Sequence, residues 1–395
     1  MQLNIFSALT LLLATGASAQ IVPDRYIVKL SEVSRSSYDS QIDEIESLIS
    51  TNQNARSYGT PNEIRHKYQK AHYGFSAQLD STGLELVKNH PNVESVRPVR
   101  MMKLYRGKRP KVEDNSPWGL ARLSSNAKLA AAPYQYKYDE NGGKDVTVYV
   151  IDTGINIAHE EFEGRARWGV TIVKNATNTD NNGHGTHCAG TIGSKTFGVA
   201  KKVNLVAVKV YDTNDGPDED MLAGIEWVLN NADLSKNNVI SMSLGADYPE
   251  DDTASYIDEA VSRAVDDGIV VVVAAGNETK DACLGSPARA PKVITVGATT
   301  VDDELAYYSN FGKCVDILAP GSRVLSTWIG STNATNTISG TSMATPHVAG
   351  LSAVLLSQGA TPWSVPNKLK QLSIKNAITK VPAETVNYLA HYPGK

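Results

Sequence analysis

Cysteine is scarce in this 395-residue sequence, with three residues in all against 30 glycines and 17 prolines. A disulfide-stapled miniprotein is therefore excluded, and glycine and proline are too modest for a fibrous or low-complexity chain. Long apolar runs are also lacking. Beyond the N-terminal segment the longest, Ile269 to Ala275, is strand-sized and well short of the ~18 residues of a membrane span. No span is expected, and the processed protein should be soluble. Neither sign of charge dominates, the net being −4, but the halves differ. Residues 20–111 hold 15 Lys+Arg against 10 Asp+Glu, and the remainder is net −9. That balance argues against nucleic acid as a partner and for attraction between two parts of one chain.

What is present begins with a secretory signal. An apolar run from Ile5 to Ala14 precedes Ala17-Ser18-Ala19, small residues that place cleavage before Gln20, although Met1 to Asn4 carry no Lys or Arg. Residues 1–19 are read as a signal peptide, and the product as secreted and extracellular. Arg25 to Leu30, Gly74 to Leu79 and Val93 to Val99 then pattern as strands. Tyr38 to Ile49 and Leu84 to Asn89 pattern as helices. This makes a small α+β unit ending in Arg97 to Lys111, a stretch with seven basic residues, two prolines and no acid, which has the composition of an exposed linker.

From Pro117 the pattern changes to apolar runs separated by helical stretches. Val146 to Ile151, Leu205 to Val210, Val239 to Met242, Ile269 to Ala275 and Val293 to Val296 are near-continuous, which means strands buried on both faces and hence a parallel α/β sheet. Helices are expected at Asp220 to Asn231, Thr253 to Asp266 and Thr341 to Ser357. Ligands of such folds bind beyond the carboxyl ends of the strands.

Three segments there set a reactive residue among small ones. Val-Ile-Asp152-Thr-Gly154 places an acid at the end of a buried strand. His184-Gly-Thr-His187-Cys188-Ala-Gly190 opens a helix. Gly340-Thr-Ser342-Met-Ala-Thr-Pro346-His starts another, with the Ser342 N–H free to bind an anion near the positive helix end. Each alone is commonly structural, a turn, a core histidine or a cap. Together they supply the nucleophile, base and carboxylate that amide hydrolysis needs, in the order Asp…His…Ser. A metal hydrolase on His184-x-x-His187 lacks a third ligand at recognisable spacing. A serine esterase would carry a second glycine in its elbow.

On these motifs the chain resembles the subtilases, in particular the proteinase K-like serine peptidases that fungi secrete. The resemblance runs from Asn115-Ser-Pro-Trp118 almost to the C-terminus. It implies an α/β, parallel-sheet subtilisin-like catalytic domain (residues 112–395) preceded by a small α+β inhibitory propeptide (residues 20–111), removed by self-cleavage. It further implies Asn277, in Ala274-Ala275-Gly276-Asn277, as oxyanion donor, and Ser243-Leu244-Gly245 with Ala274, Ala275 and Gly276 as walls of the primary specificity pocket. Those small residues suggest an open apolar slot with no fixed charge, for large apolar or aromatic P1 side chains of protein and peptide substrates. The loop with Asp212, Asp215, Asp218, Glu219 and Asp220 falls at an outer subsite and departs from an apolar one.

A structural Ca²⁺ on Asp316 and the carbonyls of Pro291 and Val293 is also implied. So is pairing of Cys283 with Cys314, Cys188 lying inside a motif with other duties. Asn175 and Asn333 are candidate glycosylation sites, since a glycan at Asn277-Glu-Thr279 would block the cleft. A monomer is expected. An inactive scaffold that only binds partners is disfavoured because all four catalytic positions are intact.

Overall fold

Apolar side chains at a helical spacing on one segment and at alternate positions on others divide the first part of the chain into two helices and a sheet. The computed structural model describes residues 21–31, 37–51, 61–69, 73–100, 110–247 and 255–394, so the signal segment 1–19 lies outside the described residues. Two compact units divide near residue 106. The first contains β1 (Ile21–Leu30), α1 (Tyr38–Thr51), β2 (Glu63–Tyr68), β3 (Gly74–Gln78), α2 (Ser81–Lys88) and β4 (Val93–Arg100). Its antiparallel sheet has the order β2-β3-β1-β4. Ile42, Ile45 and Ile49 of α1 pack on Val28, Leu30, Phe75 and Ala77. Asp80 caps α2, its side chain accepting from Gly83 N at 2.7 Å.

The expected linker is corrected at both ends. Arg97 to Arg100 belong to β4, an edge strand, where charged side chains and Pro98 are tolerated because one row of backbone groups needs no strand partner. Lys111 opens β5 (Lys111–Asp114) of the second unit, while residues 101–109 lie outside the described set. β5 pairs with β6 (Gln135–Tyr138) across α3 (Trp118–Ser124).

The second unit continues with β7 (Val146–Asp152), β8 (Ala166–Thr171), α4 (His184–Gly193), β9 (Asn204–Lys209), α5 (Asp218–Asn231), β10 (Asn237–Met242), β11 (Ala246–Asp247), α6 (Tyr256–Asp266) and β12 (Val270–Ala274). It closes with β13 (Gly285–Ser286), β14 (Ile294–Thr299), β15 (Ile317–Pro320), β16 (Val324–Thr327), β17 (Thr335–Ile338), α7 (Thr341–Ser357), α8 (Val365–Leu372), β18 (Ile374–Lys375) and β19 (Tyr388–Leu389). The main sheet has nine strands in the order β18-β19-β15-β14-β12-β10-β7-β9-β8, parallel except at β18–β19.

Successive residues of a strand point to opposite faces, so the sheet feeds two cores. Val148, Val150, Ala207 and Val272 pack with α4 and α7 on one side. Tyr149, Ile151, Val208 and Val271 pack with α5 and α6 on the other. Both faces being covered explains the continuous apolar runs. The carboxyl ends of β7, β10 and β12 are left beside the first turns of α4 and α7.

Candidate active site

Asp152 ends β7 almost fully buried. The Nδ1 of His184 lies 2.8 Å from its Oδ1 and 3.0 Å from its Oδ2. Two glycines allow that approach. Gly183, which caps α4 at φ +99°, could carry a Cβ only 2.7 Å from the Trp328 ring, and a Cβ on Gly185 would fall 2.2 Å from Gly154 O and 3.1 Å from Asp152 Cβ. The helix therefore starts hard against the strand end, with its first side chain over the carboxylate. Burial alone would lower the His184 pKa. The negative Asp152 outweighs it, helped by Asp180, and the ring sits above its ordinary value.

Ser342 is the second residue of α7, so its N–H is among those without an intrahelical acceptor. Its carbonyl is also freed, because Pro346 stands four residues on and has no N–H. Ser243 Oγ donates to that carbonyl at 3.0 Å and Cys188 Sγ at 3.4 Å. The Ser342 hydroxyl in turn donates to Ser243 O at 3.0 Å, so the two serines are joined reciprocally. The hydroxyl thus bonds β10's end and not His184. Nucleophile–base contacts commonly tighten only when substrate is bound.

Asn277 follows β12. Its Oδ1 accepts from Thr341 N at 2.8 Å and Thr341 Oγ1 at 3.0 Å, leaving the amide NH₂ at the exposed cleft beside Gly340. Cys188 is fully buried, one turn beyond His184, and polar atoms of Asp152, His184 and Cys188 lie within 4.8 Å of one another. Burial, with the Asp152 charge, pushes its thiol pKa well up, so it is no thiolate nucleophile. His187 turns elsewhere, its Nε2 3.0 Å from Val324 O, and does not converge with His184 on an ion.

All six expected pocket residues, Ser243, Leu244, Gly245, Ala274, Ala275 and Gly276, line one cavity of about 310 Å³ with Asn277 and Ser342. The slot is not free of charge: Glu278 and Asp247 also line it. Asp247 is paired with Lys280, and Glu278 Oε2 accepts from Asn277 N at 2.8 Å and Asn310 Nδ2 at 2.9 Å. In the sequence Glu278 is only the middle of a glycosylation tripeptide. Its role as a brace for the Asn277 loop depends on Asn310, distant in sequence. A neighbouring cleft of about 580 Å³ holds Asp152, His184 and Ser342 with Asp215 and Asp218. Asp212 is engaged outside it, 2.5 Å from Lys209 Nζ and 3.0 Å from Asn181 Nδ2. Glu219 and Asp220 sit in the first turn of α5.

The subtilase family model matches residues 143–391, and the peptidase inhibitor I9 model matches residues 25–105. This chain belongs to the subtilase family. A subtilisin-like protease from Coccidioides posadasii is 42 % identical, over 93 % of this chain and 80 % of its own length. A subtilisin-like serine protease from Penicillium citrinum, Pen c 2, is 40 % identical over 95 % and 89 %. The crystal structure of a cold adapted subtilisin-like serine proteinase superposes with TM-score 0.65 at 42 % identity, covering 70 % of this chain and 98 % of the other. The protein is therefore a subtilisin-like serine peptidase that carries an I9 propeptide.

In this subtilase Cys283 and Cys314 form a disulfide, with Cα atoms 5.3 Å apart. The implied calcium site does not fit as arranged. Asp316 Oδ1 accepts from Lys370 Nζ at 2.9 Å and Oδ2 from Thr295 N at 3.1 Å, so an ammonium already neutralises the one carboxylate of the set. Pro291 and Val293 would offer only backbone carbonyls and bring no further charge. Asn175 and Asn333 are both exposed.

Proposed function

We propose that this subtilase is a secreted serine endopeptidase made as a self-processing zymogen, with Asp152, His184 and Ser342 as its triad. Ser342 Oγ attacks the scissile carbonyl. His184 takes the hydroxyl proton and returns it to the leaving amine, while Asp152 holds the ring's tautomer and stabilises the imidazolium. The Asn277 NH₂ and the Ser342 N–H receive the developing oxyanion. The observation that carries this reading is the Asp152–His184 contact at 2.8 Å, in one cleft with Ser342.

Small walls at Ala274, Ala275 and Gly276 favour apolar or aromatic P1 side chains, and Asp215 with Asp218 favour a basic residue further upstream. Protein and peptide chains are the substrates, and the enzyme acts as a monomer. The propeptide is an intramolecular inhibitor removed near Lys111. Because Lys111 pairs with Tyr138 in β5–β6, we place the cut on its N-terminal side. Asn175 and Asn333 are the glycan acceptors. Calcium has no part in these steps, and Lys370 balances the Asp316 carboxylate.

A fluorophosphonate probe tests the triad. Labelling confined to Ser342, lost in Ser342→Ala together with turnover, is expected. Undiminished turnover of that variant would overturn the assignment.

A further inference from the structure

Two buried ionisable groups stand behind the Asp152–His184 pair without touching the reacting atoms. Asp180, in the loop before α4, is 7 % exposed and receives five hydrogen bonds. Its Oδ1 accepts from Thr153 Oγ1 at 2.9 Å, Asn182 N at 3.1 Å and Gly183 N at 2.9 Å. Its Oδ2 accepts from Thr186 N at 2.9 Å and Thr186 Oγ1 at 2.5 Å. The Thr153 hydroxyl meanwhile accepts from Gly185 N at 2.9 Å. Lys209, fully buried at the end of β9, donates to Thr153 O at 3.0 Å and Thr179 O at 2.9 Å.

Thr153 is the chain neighbour of Asp152, and Gly183, Gly185 and Thr186 bracket His184. One carboxylate is thus tied to both sides of the Asp152–His184 hydrogen bond, at the strand end through Thr153 and at the helix start through three backbone or hydroxyl donors. We propose that Asp180 is a positioning residue of this peptidase, setting the distance and tilt between Asp152 and His184. The proposal rests on the triad reading above.

Geometry of this kind matters because a misplacement of about 1 Å can cost ~10²-fold in rate. A carboxylate with five donors is also hard to replace by an amide, which accepts at one oxygen only and leaves several buried donors unsatisfied. Its charge has a second effect. The ionisable groups around the His184 ring are Asp152 from β7, Asp180 from the loop, Cys188 from its own helix, on which His187 turns away, and Asp215, Asp218 and Asp247 across the cleft. Of these, Asp180 adds to Asp152 in favouring the protonated ring. Neutralising it should let His184 remain a free base at lower pH.

The test uses mature enzyme. Asp180→Asn should lower kcat by about tenfold or more with KM within about twofold, the pattern of lost transition-state geometry. Its acid limb of kcat/KM should move to lower pH. The downfield proton resonance of the His184–Asp152 hydrogen bond should shift upfield. Thr153→Val keeps the Asp180 charge and breaks its link to β7, so kcat should fall with the acid limb in place. If Asp180→Asn does not fold, this variant decides, and an unchanged kcat overturns the proposal. So does an Asp180→Asn enzyme with parental kcat, acid limb and resonance, whatever its melting temperature. Either failure leaves the triad reading intact, because that reading stands or falls with Ser342 labelling.

Discussion

Ser342 carries a backbone carbonyl that its own helix cannot satisfy, and the side chains that compensate explain why Cys188 sits one turn from His184. Ser243 Oγ is the stronger donor to that carbonyl, at 3.0 Å, and the Cys188 thiol the weaker, at 3.4 Å. Cys188→Ala should therefore remain active with a modest loss of stability, about 1–2 kcal/mol from the small cavity and lost contact. Complete inactivation would show that the thiol does more than fill space. Asn277 calls for the opposite expectation. Its oxygen is held by Thr341 and its NH₂ is left to the cleft, so Asn277→Leu should leave KM nearly unchanged. Its kcat should fall by ~10²–10³, the range found on removing an oxyanion donor in subtilisin. Steady-state kinetics on a peptide anilide decides it, and a rise in KM with kcat unchanged would refute the oxyanion role.

The helix bearing Ser342 was legible in the sequence to its terminal residues, Thr341 to Ser357, because a reactive serine among small residues opens it and a long apolar stretch follows. The parallel strands were legible for a related reason: burial on both faces leaves β12 and the middles of β7 and β9 almost wholly apolar, with polar residues mainly at the strand ends. β2, Glu63–Tyr68, was not, since its exposed edge position leaves no alternation to see. β15 was missed because four residues ending in proline are too short a signal. Asp180 and Glu278 escaped for another reason, their partners Thr153 and Asn310 lying 27 and 32 residues away. What local pattern could not convey is how tightly α4 and α7 meet. A Cβ on Gly350 would come 2.7 Å from Val199 Cβ and 3.0 Å from Ile192 O. Gly350→Ala should thus be destabilising by about 1–3 kcal/mol despite its better helix propensity, as overpacking outweighs propensity here. Urea unfolding in a Ser342→Ala background checks this, and a gain in stability would mean that the helices separate freely.

At the scale of the whole molecule, buried histidines and net charge each yield an expectation. Burial lowers the pKa of both His187 and His347 to about 4. Between an unfolded value near 6.5 and about 4 the unfolded chain binds protons that the folded one does not, so stability should fall as pH drops through that window, by up to about 3 kcal/mol per histidine. His347→Gln should flatten the pH dependence of the urea midpoint between pH 7 and 4.5, and an unaltered slope would assign the loss elsewhere. Residues 20–111 are net +5 and the remainder net −9. Opposite net charges steer encounter over distances comparable to the Debye length, ~8–10 Å at physiological salt, and lose that reach as salt rises. Isolated propeptide added to mature enzyme should therefore inhibit by an association rate that falls steeply with ionic strength, while dissociation changes less. Ser342→Ala, produced where no other protease is present, should accumulate as the uncut precursor after signal removal. Normal processing of that variant would exclude self-cleavage, and salt-independent inhibition would remove charge complementarity as the source of docking.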